Sequence, residues 1–156
     1  MYMLDTNIVI YIMKQNPAHV VAMFDNISRQ GHQIVISFIS YAELLKGVEN
    51  SSQKEKSLKK LNKFIHLVPV AYPKNGKICE YYAKWHNKLK QQGTPIGGND
   101  LWIASHALAL NATLVTHNTK EFCRIDELRL EDWVWILTTI AIHYPFLTTH
   151  DRPCTT

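Results

Sequence analysis

The chain has 156 residues, is 46% hydrophobic and 19% charged, and carries a net charge of +4 with a pI near 8.9. This length suits one domain, the composition supports a packed core rather than disorder, and no segment reaches the ~18 apolar residues a membrane helix needs. Mild basicity is compatible with nucleic acid without demonstrating it. Cys79, Cys123 and Cys154 are odd in number and none lie at metal-ligand spacing, so they point to neither a disulfide framework nor a zinc site and suit a reducing, cytosolic compartment.

In chain order, the apolar run Met1 to Leu4 reads as a buried strand that stops at Asp5. Thr6 and Asn7 lead into a helical Ile8 to Met13. Asp5 stands too close to the start for a secretory apolar region to precede it. Asn16-Pro17 predicts a helix N-cap followed by proline, with Val20, Val21, Phe24 and Ile27 at helical spacing and Gly31 as the stop. Gln33 to Ile36 is a β-branched strand. A helix follows from Ser40 through Leu45, then a Lys-rich helical stretch from Ser51 to Lys63 and an extended piece from Ile65 to Val70. Lys77 to Gln92 is helical and Gly93 ends it. After the loop 94–98, Asn99 or Asp100 opens a helix over Leu101 to Leu110. Ala112 to Thr116 is a strand, His117 to Asp126 a loop with one helical turn, and Leu128 to Leu130 a last short strand. Alternating strands and helices give an α/β fold around a central, mainly parallel sheet. The segment Trp133 to Leu147 carries no Asp, Glu, Lys or Arg, which sets it apart as an extension.

Ligand sites of open α/β sheets lie outside the carboxyl ends of the strands, and Asp5 falls there. It can equally cap the next helix. Glu43 sits in Ser40-x-x-Glu43, which is also a capping box. Asp100 follows Gly97-Gly98-Asn99, where glycines allow close approach of backbone or ligand, although an acid in a first helical turn also suits the macrodipole. Asn118 and Glu121 follow the strand that ends at Thr116, and each could give oxygen to a site or serve as a turn residue or solvated charge. A hard divalent cation would unite these groups, since Mg²⁺ or Mn²⁺ takes oxygen ligands and uses one or two carboxylates. Clustered acids repel and raise a pKa; a cation removes that penalty and activates water for attack on phosphorus. No Walker loop or dinucleotide fingerprint is present. His106 reads as structural, His117 as a loop residue near the acids with phosphate contact as its lesser reading, the Tyr81, Tyr82, Trp85 stripe as core or interface rather than a base-stacking platform, and the lysines as solvated faces that on a nuclease could also track a phosphate backbone.

Five motifs in order carry a resemblance: Met3-Leu4-Asp5-Thr6-Asn7, Ser40 to Gly47, Gly93 to Ala104, Leu114 to Phe122, and Leu130 to Trp133. Together they resemble the VapC-type toxins of the PIN-domain ribonuclease family, over about residues 1–133. The resemblance implies a PIN domain at 1–133 followed by a C-terminal extension at 134–156. It implies a Mg²⁺- or Mn²⁺-dependent endoribonuclease with Asp5 and Asp100 as metal-ligand aspartates and Glu43 as the third acid. Asn118 occupies the fourth position, which is usually Asp or Asn in the family, with Glu121 nearby. Thr6, Asn7 and Thr116 would support the acids. Implied partners are a VapB-type antitoxin, a second copy in a homodimer, and RNA, with tRNA (initiator tRNA among the candidates) as the substrate class. Two rivals stand beside this reading. A metal-dependent phosphatase of haloacid-dehalogenase type needs an acid two residues after the nucleophile, where this chain has Asn7. A catalytically inert RNA- or protein-binding module predicts that Asp100→Asn leaves function intact.

Overall fold

The computed structural model describes residues 1–135. The elements are β1 (Tyr2–Leu4), α1 (Thr6–Lys14), α2 (Ala18–Arg29), β2 (Ile34–Ser37), α3 (Phe38–Glu49), α4 (Lys54–Leu67), β3 (Val70–Ala71), α5 (Lys77–Gln91), α6 (Gly98–Ala109), β4 (Thr113–Val115), α7 (Thr119–Phe122) and β5 (Arg129–Glu131). The strands form one sheet in the order β3-β2-β1-β4-β5, and every pairing is parallel.

Alternation along the strands builds two cores. Successive side chains of a strand point to opposite faces. Leu4, Ile36 and Val115 are aligned across β1, β2 and β4 and bury into one cluster with Ile8, Val9, Leu61, Phe64 and Trp133. Their neighbours Met3, Val35 and Leu114 bury into the other, with Trp85, Leu89, Leu101 and Ile103. Each fully buried Leu, Ile, Val or Met contributes about 1.5–3 kcal/mol. The sheet is therefore held by helices on both faces, as its apolar strand sequences require. Among the described residues no helix is long and apolar enough to cross a membrane, and Cys79 and Cys123 are free thiols.

Three local expectations change. Helix α2 starts at Ala18 with Pro17 itself at the N-cap, and the Asn16–Pro17 peptide is cis. Helix α4 runs to Leu67, so only Val70–Ala71 of the expected extended piece pairs in the sheet. A short apolar run fits either conformation, and burial of Leu61 and Phe64 one turn apart continues the helix. Helix α3 begins at Phe38 rather than Ser40, because β2 runs straight into it and the Ser37 hydroxyl caps it by accepting from the Ile39 N–H at 3.2 Å. Residues 136–156, most of the expected extension, lie outside the described residues.

Candidate active site

Chain order reverses at β1, with β2 on one side and β4 on the other. Such a switch point opens a crevice at the carboxyl ends of the strands. Leu4, Ile36 and Val115 are in register, so Asp5, Ser37 and Thr116 emerge together at that edge. Asp5 is only 4% exposed. Its Oδ1 accepts from the Thr6 N–H at 2.7 Å and its Oδ2 from the Thr116 hydroxyl at 2.8 Å. It therefore caps α1 and also faces the crevice; the two readings are one geometry.

Glu43 lies in the second turn of α3, and with Ser37 as the cap it is no part of a capping box. Its carboxylate is free to reach across the crevice. One oxygen accepts from the Thr6 hydroxyl, and the other from the Asn99 side-chain amide at 2.8 Å. Asp100 stands in the first turn of α6, whose N-cap is Gly97. Its Oδ2 accepts from the Asn118 amide at 3.0 Å. Asn118 is in turn fixed by its own N–H, which donates to Thr116 Oγ1 at 3.0 Å. Glu121 on α7 accepts from the Gly97 N–H at 3.2 Å, which ties the glycine loop to the end of β4. Of the predicted residues, Asp5, Thr6, Glu43, Asp100, Thr116, Asn118 and Glu121 thus share one hydrogen-bonded or electrostatic neighbourhood. Asn7 is exposed on the first turn of α1 and makes no hydrogen bond to these acids.

Electrostatics bear this out. The Asp100 carboxyl is pushed up to about 6, first by burial and then by the charges of Asp5, Glu121 and Glu43, while the Asn118 bond pulls it down. The Asp5 carboxyl is also raised, chiefly by burial, with Glu43 adding to it; bonds from Thr116 and Thr6 oppose the rise. Four carboxylates therefore crowd one crevice. Among the described residues no three His, Cys, Asp or Glu form a ready-made ligand cage. Mg²⁺ and Mn²⁺ keep several waters and use one or two carboxylates. Asp5, Asp100 and Glu43 could hold such a cation, and its charge would offset the repulsion that lifts Asp100.

Several groups lie apart from this chemistry. His117 is bonded through Nδ1 to the buried Asp132 at 3.0 Å. His106 packs within the core, Nδ1 to Ser37 Oγ at 3.0 Å, and burial lowers its pKa. Trp85 is fully buried, and Tyr82 stacks on Trp102 with centroids 3.9 Å apart. Lys84 and Lys88 pair with Glu127 and Asp126. The sequence alone missed Asn99 as a site residue. Its position beside Asp100 was the available signal, but it read as a helix cap.

Comparisons with known proteins agree with this fold. A family profile described as PIN domain matches residues 2–128. The chain is 51% identical over 132 residues to a ribonuclease VapC1 of Haemophilus influenzae, covering 85% of this chain and 97% of the relative. It is 36% identical over 132 residues to a tRNA(fMet)-specific endonuclease VapC of Shigella flexneri, with the same coverage. The structure of VapBC-1 from nontypeable Haemophilus influenzae superposes with a TM-score of 0.77 at 50% identity, over 85% of this chain and 98% of that one. The fold, the order of the acidic motifs and these similarities converge: the chain belongs to the PIN-domain family, as a VapC toxin ribonuclease.

Proposed function

We propose that this ribonuclease hydrolyses RNA phosphodiesters at the crevice formed by Asp5, Glu43 and Asp100, with Mg²⁺ or Mn²⁺ as its cation and tRNA as its substrate class. The observation that carries the proposal is the convergence of these acids at the sheet's switch point, where Asp100 is lifted to about 6. When bound, the cation supplies charge neutralisation at the phosphate and an activated water. Asp5 and Asp100 would hold it. Thr116 and the Thr6 N–H fix the Asp5 carboxylate, and Asn118 fixes that of Asp100. Glu43 is anchored by Thr6 and Asn99, and in this reading it would hold the cation or the attacking water. In the reaction a water oxygen bonds to phosphorus, the P–O3′ bond breaks, and O3′ leaves with a proton. The products carry 3′-hydroxyl and 5′-phosphate ends.

The tRNA assignment is supported by the name of the Shigella flexneri relative. Pairing with a VapB-type antitoxin is supported by the VapBC-1 complex of the Haemophilus influenzae homologue. We extend the proposal to a homodimer and a cytoplasmic location on the family resemblance alone. Family membership weighs against the phosphatase and inert-module readings.

The test is induced expression of wild type and Asp5→Ala in bacteria, with growth followed and total RNA probed for cut tRNA. Arrest by wild type alone, with a discrete 5′-phosphorylated fragment, is expected. Equal arrest by both variants would refute the role of Asp5, and 2′,3′-cyclic phosphate ends would refute water attack.

A further inference from the structure

Glu43 is the one acid of the crevice with each oxygen held by a side chain from a different acid-bearing segment. Thr6, beside Asp5, donates to one oxygen, and Asn99, beside Asp100, donates to the other at 2.8 Å. The Asn99 contact joins residues 56 apart in sequence. Asn99 is exposed and lies in the first turn of α6, where Gly97 provides the cap without any side-chain bond. Its amide is therefore not engaged in capping. A carboxylate offers about four lone-pair sites, so two donors leave room for a water or cation on Glu43 while fixing its plane. The two adjacent residues of one helical turn thus divide their contacts: Asp100 faces Asn118, and Asn99 faces Glu43.

We infer that Asn99 is a positioning residue, whose amide holds the Glu43 carboxylate toward the crevice and so sets divalent-cation affinity and cleavage rate through Glu43. The inference rests on the proposed function above. Groups that orient ligand carboxylates typically change metal affinity or activity by about 10–100-fold when removed. Contacts that act through a shared partner show non-additive effects, whereas independent sites add.

The experiment uses the full chain, as wild type, Asn99→Ala, Asn99→Asp, Glu43→Ala and the Asn99→Ala/Glu43→Ala double variant, with Asp5→Ala as control. Mn²⁺ alone is titrated calorimetrically without RNA, cleavage of tRNA gives kcat and KM, and thermal melting checks the fold. Asn99→Ala should weaken Mn²⁺ binding about tenfold and lower kcat by a similar factor with KM nearly unchanged. Asn99→Asp keeps the shape but loses the donor and adds a charge, so it should lose at least as much. In the Glu43→Ala background, Asn99→Ala should change nothing further. Wild-type Mn²⁺ affinity in Asn99→Ala would overturn the inference. So would a rise in KM alone, or a further tenfold loss in the double variant, since each places Asn99 on the RNA or the cation itself. If wild type binds Mn²⁺ and cuts tRNA, Asp5→Ala does neither, and Asn99→Ala matches wild type, only this inference falls. If wild type neither binds Mn²⁺ nor cuts tRNA, the proposed function falls with it.

Discussion

Replacing Asp100 by Asn should stabilise the metal-free fold while removing its activity. In the native structure the Asp100 carboxyl is lifted from 3.8 to about 6 by burial and by Asp5, Glu121 and Glu43. A shift of that size corresponds to about 3 kcal/mol at full weight. Asp100 is only half-buried, so solvent screening reduces the figure to about 1–2 kcal/mol. The sign follows from proton binding. Between about pH 4 and 6 the native state holds more protons at this site than the unfolded chain, so stability falls as pH rises through that window. Below about 4 the group is protonated in both states and costs nothing; above about 6 the full penalty stands. Asparagine keeps the shape and can still accept from Asn118 without the charge. At pH 7.5 in EDTA, the variant should therefore melt about 2–8 °C above wild type, and the gap should close near pH 4. Adding Mn²⁺ should reverse the order. A cation at 100 times its Kd stabilises the protein that binds it by about 2.7 kcal/mol, and under the proposed function the variant lacks one of the ligands. The assay is thermal melting of both proteins at the two pH values, with EDTA and with Mn²⁺. A variant that melts below wild type in EDTA at pH 7.5, or keeps its advantage at pH 4, would refute the electrostatic account.

Three further outcomes follow from the packing around the crevice. Thr116→Val should cost about 1–3 kcal/mol and lower cleavage, because the buried hydroxyl donates to Asp5 and accepts from Asn118 N–H; melting and tRNA cleavage check this together. Trp133→Ala should cost about 3–5 kcal/mol, seen as a lower melting temperature, because the ring is buried and its Nε1 donates to Glu131 at 2.9 Å. A chain ending after Trp135 should keep its melting temperature within a few degrees and retain cleavage. Asp132 already caps the Val134 N–H at 2.8 Å, and Val134 packs on the core.

Much of the crevice was legible because parallel-sheet geometry leaves its mark in sequence. Each central strand is an apolar run that stops at a polar group: Asp5 after β1, Ser37 ending β2, Thr116 after β4. Register then brings these three stops together. What could not be read was how helix starts distribute their hydrogen bonds. Ser40-x-x-Glu43 satisfies a capping-box pattern, yet Ser37, three residues earlier, does the capping, so Glu43 is released to the crevice. Asn99 gave the same error. It resembled a cap, but its amide crosses to Glu43 on another helix. Local patterns name the residues able to cap; only tertiary placement decides which of them do.

The same distinction explains how the acids tolerate one another before a cation arrives. Burial and like charge raise Asp5 and Asp100, and both effects oppose folding. The opposing hydrogen bonds come from neutral donors, Thr116 and the Thr6 N–H on Asp5 and Asn118 on Asp100. A lysine or arginine in those places would relieve the repulsion more strongly. It would also neutralise the charge that attracts a divalent cation and the phosphate it serves. Threonine and asparagine fix the carboxylates in place without cancelling them. The crevice keeps its field at some expense in stability, as the proposed cation site requires.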